Sequence, residues 1–117
     1  MNNKPKYHLF KNTKYALEGL LHALKTESSF RLELFCAVFI ISLIIYIDTS
    51  ITNKLILTVT GILVLIVELI NSAIENVVDL VTKDIKPLAK SAKDIGSTAV
   101  MFSIILHVCC WIIILVF

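Results

Sequence analysis

The run Ile66-Val67-Glu68-Leu69-Ile70-Asn71-Ser72-Ala73-Ile74-Glu75-Asn76-Val77-Val78-Asp79 holds the residues on which the reading of this chain turns. Glu68, Asn71 and Glu75 recur in it at i, i+3 and i+7. On a helix that spacing puts all three on one stripe. The thirteen residues before Glu68, from Leu55 to Val67, are almost all apolar and suit the interior of a bilayer. A carboxylate held at the centre of a membrane costs roughly 2.5–3.5 kcal/mol on insertion scales. A chain bears that cost when the polar face works on an ion, a phosphate or a proton.

The composition agrees with a membrane setting. Of 117 residues, 57% are hydrophobic and only 17% charged. Three stretches are long and apolar enough, with their flanks, to cross a hydrocarbon core of ~30 Å: residues 30–47, 55–81 and 95–117. Alternating strands of about ten residues are absent, so helices and not a barrel are expected. The first thirty residues are basic and polar and do not read as a cleavable signal peptide. Residues 1–8 read as frayed. From 8 to 25, Phe10, Leu17, Leu20, Leu21 and Leu24 recur at helical spacing, which predicts an amphipathic helix on the membrane surface. Ser28 or Ser29 is the expected cap of the first span.

Charge fixes the expected topology. Lys4, Lys6, Lys11, Lys14, Lys25 and Arg31 precede the first span; Lys83, Lys86, Lys90 and Lys93 separate the second from the third. The 48–54 loop has Lys54 alone. The positive-inside rule then puts the N-terminus and the 82–94 loop in the cytoplasm and the C-terminus outside. The net charge of +2 is thus a topology signal and not a sign of nucleic-acid binding. Cys36, Cys109 and Cys110 all fall in spans and read as free, packing thiols.

Counting from Leu55 at the outer surface, Glu68 lies about 20 Å in and Glu75 about 10 Å further, at the water boundary. One stripe thus joins headgroup depth to water, which suits a reaction between a membrane-dissolved alcohol and a soluble donor. Glu68 is a candidate general base; the wet-end carboxylate is a candidate Mg²⁺ ligand beside phosphate. Glu27 reaches the same boundary. Lys93, Asp94 and Ser97 are expected to open the third helix, whose first amides would add donors for an anion. With only Gly19, Gly61 and Gly96, the chain has no Walker A loop and no G-x-G-x-x-G. His8, His22 and His107 are scattered, with no zinc or di-iron spacing.

Three runs carry a family resemblance: Glu27-Ser28-Ser29-Phe30-Arg31-Leu32-Glu33, Glu68-Leu69-Ile70-Asn71-Ser72-Ala73-Ile74-Glu75, and Ala92-Lys93-Asp94-Ile95-Gly96-Ser97-Thr98-Ala99-Val100. Together they resemble the prokaryotic diacylglycerol kinase family over nearly the whole chain, as a single domain. The resemblance implies an all-α integral-membrane homotrimer with three transmembrane helices and a surface helix per subunit, sited in the bacterial inner membrane. Its members pass the γ-phosphate of MgATP to a lipid alcohol in sites shared between subunits. By that resemblance Glu68 is the general base and Asn71 orients the site. Glu27 and Glu75 hold Mg²⁺. Tyr15, Asp84, Lys86, Lys93 and Asp94 contact ATP. Ser29, Phe30, Arg31, Leu32, Glu33, Ser97 and Trp111 contact the lipid. His8 stands where relatives can carry an arginine, and the run Tyr15-Ala16-Leu17-Glu18-Gly19 lacks a tryptophan that some members have. The lipid is diacylglycerol or, as the alternative, undecaprenol.

Plainer readings stand beside these. Glu27 and Arg31 fit a simple i, i+4 pair, Asp79 a solvated helix end, Asp94 an N-cap, Trp111 an interfacial anchor, and His107 a neutral packing residue. A small oligomeric channel or proton-coupled transporter is the rival from another class, with Glu68 and Glu75 as its path.

Overall fold

A computed structural model describes residues 8–117, so Lys4 and Lys6, and the fraying expected before residue 8, lie outside the described residues. The described chain is four helices with no strand among them: α1 (Leu9–Thr26), α2 (Ser28–Tyr46), α3 (Ile51–Val81) and α4 (Pro87–Val116). The last three are each long and apolar enough to cross a membrane.

Several helix ends differ from the expectation. A single residue, Glu27, separates α1 from α2 and is itself the N-cap of α2; neither Ser28 nor Ser29 caps it. Arg31 does not pair with Glu27. Its guanidinium donates from Nη1 to the carbonyls of Leu24 (2.9 Å) and Lys25 (3.1 Å). It thereby satisfies carbonyls left open at the C-terminus of α1, where a cation is also favoured by the helix dipole. Lys54 does the same for α2, donating from Nζ to Ile45 O at 3.0 Å.

α3 begins at Ile51, four residues before the expected Leu55, because the Ser50 hydroxyl accepts the Asn53 amide at 3.1 Å and caps it. Lys54 sits in that first turn, so the apolar part still starts near Leu55. α4 begins at Pro87, eight residues before the expected start, with proline in the first helical turn, where its missing N–H costs nothing. Lys93, Asp94 and Ser97 are therefore well inside α4, with amides committed to the helix, and offer no N-terminal donors. Asp94 is not an N-cap; it pairs with Lys90 at 2.6 Å.

α3 packs most extensively on α4, then on α2, while α1 leans on α2. The α3 face in these contacts carries Leu57, Thr60, Glu68, Asn71 and Ser72, all buried. The α4 face that meets it carries Gly96, Ser103 and His107. Small residues at such a seam let two membrane helices approach closely. The three cysteines are free.

Candidate active site

The buried stripe on α3 has two polar patches. The one nearer the start of α3, at Thr60, is closed. Trp111 Nε1 donates to His107 Nε2 at 3.0 Å. A neutral ring that accepts at Nε2 carries its proton on Nδ1, so Nδ1 donates to Thr60 Oγ1 at 2.8 Å. Thr60 in turn donates to Ile56 O at 2.9 Å. Gly61 leaves room for the ring: a Cβ there would stand 3.2 Å from His107 Cε1. His107 is thus the packing residue expected, with both nitrogens satisfied. Trp111 belongs to this chain of bonds and lies about 21 Å along α4 from Ser97.

The second patch is open. Glu68 is 6% exposed and Asn71 7%. Glu33 of α2 lies against Glu68 in hydrogen-bonding reach, yet its buried Oε2 meets no donor of the described chain. Glu27 and Glu75 are both within electrostatic reach of Glu68. Asn71 donates from Nδ2 to Glu75 Oε1 at 3.2 Å, and its buried Oδ1 has no hydrogen-bond partner. Glu27 and Glu33 at the start of α2 thus share a neighbourhood with Glu68 and Glu75, seven residues apart on α3, with Lys93 of α4 in reach of Glu75.

Lys93 is held by Asp79 Oδ1 at 2.6 Å. Asp79 is thus a partner of the site's cation and not merely a solvated helix end. Asp79, Asp84, Lys93 and Asp94 line a cleft of about 190 Å³ where α3 gives way to α4. Lys86 is the N-cap of α4 and faces a neighbouring apolar groove instead. Tyr15, on α1, is 59% exposed. Ser29, Leu32 and Ser97 are exposed, whereas Phe30 is buried.

An apolar groove of about 300 Å³ runs from Glu33 along Ala37, Ile41 and Ile44 of α2, walled by Leu57, Gly61 and Leu65 of α3. A second space of about 380 Å³ lies between α1 and α3, with Glu27, Ser72 and Asn76 on its rim.

Among the described residues no three His, Cys, Asp or Glu side chains close on one point as a metal cage. The donor set is nevertheless one of hard oxygens, with a buried acceptor, Glu33 Oε2, left open. That suits Mg²⁺, which binds through one or two carboxylates and completes its shell with phosphates and water.

The sequence model of the prokaryotic diacylglycerol kinase family matches residues 14–115. The chain belongs to that family. Diacylglycerol kinase is also the name of its similar relatives. The one from Escherichia coli K12 is 36% identical over 107 residues, spanning 92% of this chain and 88% of its own. The one from Pseudomonas aeruginosa is 38% identical over 103 residues, spanning 88% and 84%. The one from Haemophilus influenzae is 37% identical over 97 residues, spanning 83% and 82%. The resemblance read from the three motifs therefore holds, and with the three apolar helices it makes this an integral-membrane kinase of that family.

The pairing of Glu33 with Glu68 is what the sequence reading missed. Phe30, Glu33 and Ala37 share a face of the first span at i, i+3 and i+7, but that spacing does not say which turn of α3 the face meets.

Proposed function

We propose that the protein is an ATP-dependent diacylglycerol kinase of the bacterial inner membrane, with its N-terminus and the 82–86 segment in the cytoplasm. The observation that carries this reading is the open polar patch. In a chain of this family, Glu68 is buried where α2 meets α3, with Glu33 against it and Glu27 and Glu75 in reach.

Glu68 accepts the proton of the lipid hydroxyl. The lipid oxygen forms its bond to the γ-phosphorus as the bond from that phosphorus to the bridging oxygen of ADP breaks. The products are phosphatidic acid and ADP, and the proton rests on Glu68. Glu27 and Glu75 would hold Mg²⁺, which when bound offsets charge on the transferring phosphoryl group. Asn71 fixes the Glu75 carboxylate. Asp79 steadies Lys93 at the cleft, where Lys93, Asp94 and Asp84 border the phosphates, with Tyr15 and Lys86 further out. Catalysis of this kind is mostly positioning and electrostatics.

The groove leading away from Glu33 suits an acyl chain of the substrate, since it joins the carboxylates to the apolar core. Ser29–Glu33 and Ser97 border the lipid headgroup, and α1 rests on the membrane surface. A homotrimer would close the side on which Glu27 and Glu75 remain half exposed.

The closed state of the Thr60–His107–Trp111 chain disfavours a channel. Its donors and acceptors are spent on one another, and about 12 Å of α3 separates it from Glu68. The test is a phosphorylation assay of purified protein with labelled ATP, comparing diacylglycerol with undecaprenol. Labelled phosphatidic acid is expected. Transfer to undecaprenol alone would change the substrate, and transfer to neither would return the channel reading.

A further inference from the structure

We infer that Gly96 is a positioning residue for this site: the space left by its missing side chain is the socket that holds the Asn71 carboxamide and aims it at Glu75. The inference rests on the kinase reading for its catalytic consequence, but not for its geometry.

Gly96 lies in the interior of α4. No glycine of the described chain has a positive φ, so the backbone does not require it. In a helix interior glycine is disfavoured relative to alanine. A different reason must keep the side chain absent, and Asn71 supplies it. A Cβ on Gly96 would overlap Asn71 Oδ1 and stand 3.2 Å from its Cγ. The amide oxygen thus occupies the place a side chain would take. Both residues are buried, so the carboxamide can make room for a side chain only by leaving its place against α4.

The socket also sets which way the amide points. Asn71 Oδ1 has no hydrogen-bond partner and rests against the Gly96 backbone, where a Cα–H is a weak donor. Nδ2 is then turned to Glu75 Oε1 at 3.2 Å. Reversing the amide would set its oxygen against the Glu75 carboxylate and leave two N–H donors at the glycine without an acceptor. One methyl group on residue 96 would therefore push Asn71 off Glu75 without touching any charged group.

The experiment uses full-length protein in mixed lipid–detergent micelles, as wild type, Gly96→Ala, Asn71→Ala and the double variant. Gly96→Ala is expected to lower kcat about 10- to 100-fold, the scale of a small misplacement in a catalytic site. Its Mg²⁺ half-saturation should rise by about 10-fold, as for loss of a residue that orients a metal ligand. Its KM for diacylglycerol should not move. Thermal unfolding closes the cycle: Gly96→Ala lowers the melting temperature when Asn71 is present. It leaves that temperature unchanged or raises it when residue 71 is alanine, because the socket is then empty and alanine favours helix. Equal destabilisation in both backgrounds would overturn the inference, as would an unshifted Mg²⁺ titration. Wild-type protein that phosphorylates no lipid would defeat the kinase reading alone, and the melting cycle would still decide the socket.

Discussion

The two polar patches share one buried stripe of α3 yet are built oppositely. Around Thr60, every donor and acceptor that can be satisfied is satisfied within the chain, through His107 and Trp111. Around Glu68, acceptors crowd together: neither Glu33 Oε2 nor Asn71 Oδ1 meets a hydrogen-bond donor, and while Asn71 Oδ1 packs against Gly96, Glu33 Oε2 is left open. Buried polar groups without partners are costly. A closed set costs little and ties helices together; an open set of carboxylates is tolerable only if something else completes it. The difference separates a structural polar contact from a site, although both would look alike as polar residues in a span.

The sharpest way to break that contrast is Glu68→Gln, which keeps shape and removes the base. Phosphate transfer should fall by about 10²- to 10⁴-fold, the usual worth of a general base, with helix content and oligomer size unchanged. Substantial remaining transfer would put Glu68 on the structural side. Next in size is Glu75→Gln. The Mg²⁺ requirement should rise by at least the roughly 10-fold typical of losing a residue that supports a metal, read from a titration of activity. An unchanged titration would remove Glu75 from the metal site. Smaller still is Ala37→Phe, which fills the groove beyond Glu33. It should raise KM several-fold for long-chain diacylglycerol and leave a short-chain analogue unaffected. An equal change for both lipids would mean that the groove holds no acyl chain.

Much of this was legible in the sequence, because period and hydropathy are local properties. The stripe of Glu68, Asn71 and Glu75 needed only helical spacing, and Glu68 and Asn71 are indeed buried. The helix ends were less legible. Ile51-Thr52-Asn53-Lys54 and the Lys-rich stretch after Pro87 lie where hydropathy falls, so their helical turns were not counted; the Ser50 cap and Pro87 at the first turn were the signs to follow. What the sequence withheld is register between helices. Glu33 against Glu68, Lys93 on Asp79 and His107 on Thr60 each join residues distant in the chain. No single-helix pattern specifies which turn of one meets which turn of the other.

The mildest test concerns Trp111, which the family resemblance assigns to the lipid and the geometry ties to His107. Trp111→Phe keeps an aromatic surface and deletes one N–H. If Trp111 serves the closed patch, His107 Nε2 loses its donor, and stability should fall by about 0.5–1.5 kcal/mol, the usual net worth of one hydrogen bond. The Michaelis constant for diacylglycerol should then stay at its wild-type value. His107→Leu should act in the same direction and more strongly, since it strands the indole N–H and removes the donor to Thr60 Oγ1. A Trp111→Phe protein that melts like wild type but binds lipid less well would move Trp111 into the substrate path. The patch around Thr60 would then also contain a group whose purpose lies outside the chain, and closure would no longer distinguish the two halves of α3.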